Sequence, residues 1–128
     1  MKSILFTLFF SLITNLIYCQ INNGPEITLG QDVFDFGTVS LSKDTLIASF
    51  YFKNTGSDTL VIENVRPSCG CTVADFSKNP ILPGEGGVII LKYSRTTEGP
   101  INKSATILSN AVANPYKVIR LKGQVKKQ

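Results

Sequence analysis

From Val33 onward, the chain is a succession of short segments in which apolar and polar residues alternate, separated by turn-forming residues. A period of two places one set of side chains on one face of a strand, whereas a helix requires a period of 3.6. Strands are predicted at residues 33–39, 45–53, 59–65, 72–76, 88–94, 103–109 and 116–125. About seven short strands without a helix predict an all-β protein built as a β-sandwich.

The alternation also predicts which side chains form the core. In the segment 45–53, the even positions should face inward. The full inward set is Leu46, Ala48, Phe50, Phe52, Leu60, Ile62, Ile89, Leu91, Tyr93, Ala105, Ile107, Ile119, Leu121 and Val125.

The connecting residues predict several local features. A turn at residues 54–58 makes 45–53 and 59–65 a hairpin. The Pro- and Gly-rich residues 79–87 are expected to carry the chain from one sheet to the other, and residues 98–100 to form a turn. Gly37 favours a bulge, and Pro67, which lacks an N–H, favours a sheet edge.

The N-terminus has the pattern of a secretory signal peptide. Lys2 supplies a positive charge, residues 4–17 are mostly apolar, and polar residues return from Gln20 onward. The run is shorter than the roughly 20 apolar residues of a membrane-spanning helix, and it lacks the polar face of a buried globular helix. We predict a signal peptide at residues 1–19, a flexible segment at residues 20–31 and a folded domain at residues 32–126. The protein is then exported, to the periplasm or beyond, without a transmembrane span in its mature form.

Cys19 has two interpretations. Residues 16–19 resemble the lipobox of bacterial lipoproteins, in which the cysteine is lipidated, although Tyr18 replaces the small residue of that motif. Otherwise Cys19 leaves with the signal peptide. In both cases Cys69 and Cys71 are left to pair with each other, in a compartment where disulfides persist.

The spacing of Cys69 and Cys71 brings the two side chains together. On a strand, residues i and i+2 face the same way, with Cα atoms roughly 6.5 Å apart, and Gly70 allows the backbone to bend them closer. The pair is therefore a disulfide candidate or a pair of small buried thiols. A reactive redox pair and a copper(I) site, which tolerates few soft ligands, are the alternatives.

The composition excludes several classes of site. The chain has no histidine, so it lacks Ser-His-Asp and Cys-His arrangements, and two sulfurs do not complete a typical zinc site. The formal net charge of +4 falls to +3 without Lys2. Because the C-terminal Lys and Arg residues alternate along a strand, they favour a solvated face over a nucleic-acid interface. We predict no catalytic residue, cofactor or metal.

A string of motifs resembles the bacterial domain-of-unknown-function family 1573. In order, the motifs are Phe34-Asp35-Phe36-Gly37-Thr38-Val39, Phe50-x-Phe52-x-Asn54-x-Gly56, Leu60-x-Ile62, Cys69-Gly70-Cys71-Thr72, Pro80-Ile81-x-Pro83-Gly84, Lys103, Ser109-Asn110 and Gly123-x-Val125. The resemblance implies an immunoglobulin-like β-sandwich of about seven strands in an exported protein. It implies no activity.

Two functional hypotheses follow. The first is an exported, non-enzymatic module with an interaction or structural role in the bacterial envelope. Its partner would be another envelope or extracellular protein, contacted through the loops at residues 67–71 and 110–115. The second is a periplasmic thiol redox or copper(I)-binding protein that uses Cys69 and Cys71.

Overall fold

The computed structural model describes residues 2–7, 23–41, 44–94 and 97–127, and in the last three ranges the regular structure is entirely β. The predicted all-β class is therefore confirmed. The strands, in chain order, are β1 (Ile27–Leu29), β2 (Val33–Ser40), β3 (Thr45–Asn54), β4 (Ile62–Pro67), β5 (Thr72–Phe76), β6 (Gly86–Ser94), β7 (Gly99–Ser109) and β8 (Tyr116–Lys126).

The strands form two four-stranded sheets that make a sandwich. Sheet A has the order β1-β3-β6-β5, and sheet B has the order β2-β8-β7-β4. Neighbouring strands are antiparallel, except that β2 runs parallel to β8. The chain leaves sheet A after β1 and enters sheet B as β2 after a short link at residues 30–32.

The core lies between the sheets and is built from the residues that the alternation assigns to the inner faces. Every predicted inward residue is buried except Leu46, which is half-buried. Burial of one Leu, Ile or Phe side chain stabilises the fold by about 1.5–3 kcal/mol. Among the largest wholly buried side chains are Phe50, Leu60, Ile89, Leu91, Ile107, Ile119 and Leu121.

The predicted hairpin between β3 and the next strand is wrong. β3 pairs with β6 in sheet A, whereas β4 pairs with β7 in sheet B. Between them the chain crosses the sandwich, where Leu60 and Ile81 exchange two backbone hydrogen bonds of 2.8 Å. Alternation specifies which face of a strand is buried, but it does not specify the sheet in which that strand pairs.

The prediction that residues 79–87 cross between the sheets is also wrong. They connect β5 to β6, which are neighbouring antiparallel strands of sheet A. The connection is irregular because Ile81 pairs with Leu60 of the crossing segment. Gly84 then turns the chain with a φ of +83°, a conformation that favours glycine, and its N–H donates to the carbonyl of Asn54 at 2.9 Å.

The assignments of β1, β4 and β7 differ from the prediction, and β4 spans Ile62–Pro67 instead of residues 59–65. The alternation misses β1, which lies inside the segment 20–31 that was expected to be flexible, because three residues are too few to show a period. β7 begins at Gly99, so Gly99 and Pro100 pair with β8 instead of forming a turn.

Two local predictions are confirmed. Gly37 has a φ of +65°, and the register between β2 and β8 shifts across it, as expected for a bulge. Pro67 is the last residue of β4, an edge strand of sheet B, where a missing N–H costs least.

Of the predicted signal peptide, the structure describes residues 2–7, which form a short exposed helix. Among the described residues, no helix is long and apolar enough to cross a membrane. Cys19 lies outside the described residues, so its lipidation or removal stays a prediction.

Candidate functional site

The two central cysteines lie where the chain passes from sheet B to sheet A. β4 and β5 are edge strands of different sheets, and they are joined by residues 68–71. We call these four residues the cysteine corner. A position between two sheets was not predicted for them.

The cysteine corner brings its two sulfurs together. Cys69 and Cys71 are joined as a disulfide, with Cα atoms 5.4 Å apart. The bend that brings the cysteines together does not use a backbone conformation that favours glycine. Gly70 is exposed and does not have a left-handed φ, and a Cβ atom added there would meet no other residue within 4 Å.

The backbone of the cysteine corner is hydrogen-bonded to both sheets. On the side of sheet B, the N–H of Ser68 donates to the carbonyl of Ser104 at 2.8 Å, and the N–H of Ser104 donates to Oγ of Ser68 at 3.2 Å. On the side of sheet A, the N–H of Ser94 donates to the carbonyl of Cys71 at 3.0 Å. These hydrogen bonds therefore attach the cysteine corner to sheet B at one end and to sheet A at the other.

The side chains of both cysteines pack partly against neighbouring residues. Both cysteines are half-buried, and Cys71 packs against the apolar core. Sγ of Cys69 lies 3.7 Å from Oγ1 of the buried Thr72. The disulfide therefore contacts the apolar core through Cys71.

Two cations are close to the cysteine corner in the sequence. Arg66 lies on β4 next to the corner, whereas Lys78 lies beyond the opposite end of β5, and both are exposed. The fold also brings Lys103, which is half-buried, to this level of sheet B, because it precedes the Ser104 that bonds to the corner. Over the described ranges, no group of three or more His, Cys, Asp or Glu residues is placed to hold a metal ion.

A second junction was predicted only as a turn. Asn54 ends β3 and its side chain is wholly buried. Its Nδ2 donates to the carbonyls of Asp58 at 2.7 Å and Ile81 at 2.9 Å. Its Oδ1 accepts from the N–H groups of Gly56 at 3.0 Å and Glu26 at 3.4 Å. One carboxamide therefore holds four backbone groups that come from three parts of the chain.

We call residues 54–61 the asparagine crossing, because they carry the chain from β3 to β4 around this side chain. Gly56 is required there by close approach. A Cβ atom added to it would lie 2.2 Å from the carbonyl oxygen of Gly24 and 2.5 Å from the backbone nitrogen of Glu26. The available sequence signal was an Asn followed two residues later by a Gly at the end of a strand.

The two loops that were predicted to contact a partner do not form one surface. Residues 110–115 follow β7, and Asn110 is bonded to the asparagine crossing. Its Nδ2 donates to the carbonyl of Thr59 at 3.1 Å, and its Oδ1 accepts from the N–H of Val61 at 2.8 Å. The cysteine corner is bonded to Ser104 instead, and about 20 Å of strand separates Ser104 from Asn110.

Solved structures with very different sequences share this fold. A protein of unknown function from Porphyromonas gingivalis W83 has a TM-score of 0.68 and 18% identity, with coverage of 86% of this chain and 51% of that chain. The ASH/PapD-like domain 7 of human CEP192 has a TM-score of 0.60 and 10% identity, with coverage of 80% and 86%. The secreted serine protease VesC of Vibrio cholerae has a TM-score of 0.55 and 15% identity, with coverage of 86% and 24%.

At such low identities the likeness establishes the fold alone, and it confirms the predicted immunoglobulin-like sandwich. This chain spans about half the length of the Porphyromonas protein. A search of curated proteins finds no match. The profile of DUF1573, described as a protein of unknown function, matches residues 27–125. That range begins with β1 and ends one residue before the end of β8, so it covers the whole sandwich, and this chain belongs to the DUF1573 family.

Proposed function

We propose that this protein is an exported, non-enzymatic module of the bacterial envelope, with a role in protein–protein contact or in structure. The position of the cysteines carries the proposal. They close a corner between the two sheets whose backbone is hydrogen-bonded on both sides. On this proposal the pair stabilises the fold and binds no cofactor, and the partner is another envelope or extracellular protein.

The chemistry of the residues supports a non-enzymatic role. The chain has no histidine, so it lacks the base that activates serine or cysteine nucleophiles in the common hydrolase arrangements. Cys69 and Cys71 are bonded to each other, and a disulfide offers no thiolate for nucleophilic attack.

The comparisons support a modular role by analogy of fold. The part of VesC that resembles this chain is 24% of a longer secreted protein, and the matching part of the Porphyromonas protein is 51% of its chain. A sandwich that occurs inside longer proteins is suited to present loops and strand edges to other molecules.

Export is tested by fractionation and intact mass of the protein from its native host. We expect an envelope or extracellular protein that begins at Gln20, or one that begins at Cys19 and carries the added mass of a lipid. An intracellular protein that retains residues 1–19 would overturn this part of the proposal.

The non-enzymatic role is tested by thiol labelling and copper(I) titration. In the folded protein we expect no labelled thiol at Cys69 or Cys71 before reductant is added. After reduction, we expect no copper(I) binding beyond that of the Cys69→Ser/Cys71→Ser variant. One copper ion bound per chain, and lost in that matched variant, would overturn the proposal in favour of copper handling.

A further inference from the structure

β3 is paired along its whole length on one side only. Towards β6, every residue from Thr45 to Lys53 has a partner. On the other side, β1 pairs with residues 52–54, and the N–H of Gly30 donates to the carbonyl of Tyr51 at 2.9 Å. The chain then leaves for sheet B. Among the described strands, none pairs with residues 45–49 on this side, which we call the open edge of β3.

The register identifies the backbone groups at the open edge. The carbonyl of Tyr51 accepts from Gly30, and the N–H of Thr55 donates to the carbonyl of Glu26, so both odd-numbered residues direct their hydrogen bonds towards β1. This direction alternates along an antiparallel strand. The open edge therefore presents the N–H and C=O groups of Thr45, Ile47 and Ser49. A row of such groups is a template for another strand.

Beside the open edge of β3, several apolar residues that pack on the core are only half-buried. Most of the apolar residues that pack on the core but stay half-buried come from β1, β2, β3 and the residue after β2. They are Leu29, Phe34, Phe36, Val39, Leu41 and Leu46. Phe34 lies near the fully buried Phe50 of β3, with ring centroids 6.3 Å apart. A strand added beside β3 would place its inward side chains against this group.

Two exposed apolar side chains, Ile47 and Tyr51, lie on the outer side of β3 at and beside the open edge. A groove of about 570 Å³ lies along it, lined by Gly30, Gln31, Phe34, Ile47, Ser49 and Tyr51. Ile47 is 57% exposed and Tyr51 is 68% exposed. Cross-strand contacts with such side chains stabilise an added strand.

We propose that the open edge of β3 is a docking site for an extended peptide segment of a partner protein. The segment adds to sheet A as a strand antiparallel to β3, in line with β1, and carries apolar side chains at the alternate positions that face the core. Recognition of this kind combines main-chain hydrogen bonds with side-chain pockets. The inference rests on the proposed function as a binding module and specifies the chemistry of its partner.

The size of the edge favours a peptide over a second copy of this chain. Residues 45–49 span about 17 Å of strand. A stable protein dimer buries about 800 Å² on each partner, which is more than a pairing of this length supplies. An extended segment can use the edge and the adjoining groove together.

The test is a titration of the ¹⁵N-labelled protein with synthetic nine-residue peptides in which Val or Phe alternates with Thr or Lys. We expect saturable binding by at least one peptide, with shifts of the amide signals of Thr45, Ile47 and Ser49 and slower hydrogen exchange at these amides. Methylation of the peptide nitrogens that face β3 should weaken binding at least tenfold. Methylation of the intervening nitrogens should change it less than twofold.

Two protein variants complete the test. Ile47→Pro removes one N–H of the open edge and should weaken binding at least tenfold, whereas Ile47→Ala keeps that N–H and should weaken it less. Failure of every peptide, binding at β2 or β4, or a dimer that Ile47→Pro dissociates would each overturn the inference. None of these results overturns the proposed function, which the fractionation, thiol-labelling and copper(I) experiments test separately.

Discussion

The cysteine corner and the asparagine crossing both carry the chain between the sheets, but they are held by different means. At the cysteine corner, a covalent bond joins two half-buried sulfurs around an exposed Gly70 that has free space beside it. At the asparagine crossing, a wholly buried carboxamide bonds four backbone groups around Gly56, which has other backbone atoms within 3 Å of its missing Cβ.

The comparison indicates that the more conspicuous sequence motif need not be the one at which a substitution costs more stability. A buried polar group that loses its partner costs about 1–3 kcal/mol. In the chain-entropy model, a disulfide that closes a very short loop stabilises the fold by only about 1–2 kcal/mol. The asparagine crossing, which was predicted only as a turn, should therefore tolerate substitution less well than the cysteine corner.

The largest effect is expected from Asn54→Ala. The substitution leaves the N–H groups of Gly56 and Glu26 and the carbonyls of Asp58 and Ile81 without their side-chain partner. We expect a loss of about 3 kcal/mol or more in the free energy of unfolding, measured with urea.

A matched control for this prediction is Asn102→Ala, because Asn102 is exposed on β7. It should change the free energy of unfolding by no more than about 0.5 kcal/mol. If the two substitutions cost the same, the buried carboxamide would not be what holds the asparagine crossing.

A smaller difference in the free energy of unfolding is expected between the Gly56→Ala and Gly70→Ala variants. At Gly56 the new methyl group would overlap backbone atoms of Gly24 and Glu26, and we expect a loss of about 1–3 kcal/mol. At Gly70 the methyl group enters open space, so the change should stay within about 0.5 kcal/mol. Urea unfolding of both variants measures the difference, and a reversed order would contradict the comparison.

Much of the fold was predictable from local alternation. The predicted bounds of β5 match the structure, and those of β3 and β8 differ from it by one residue. Buried faces follow directly from the period of two, which is why Phe50 and Leu121 were assigned correctly. The partner of a strand depends on remote contacts, so β4 was assigned to the wrong neighbour.

The candidate site was predictable only in part. The closeness of Cys69 and Cys71 follows from their spacing, but their place between two sheets depends on where β4 and β5 pair. The role of Asn54 was hidden because its partners Glu26 and Ile81 lie far away in the sequence. The open edge of β3 could not be predicted either. It exists because β1 is short, and the alternation does not reveal β1.

The central claim is that the cysteine pair belongs to the architecture of the sandwich. Its most direct test is the free energy of unfolding of the Cys69→Ser/Cys71→Ser variant, compared with the unsubstituted protein without reductant. The account predicts a loss of about 1–2 kcal/mol with the rest of the fold intact. A variant as stable as the unsubstituted protein would contradict it. Sulfurs that add nothing to stability would favour the redox or copper(I)-binding alternative.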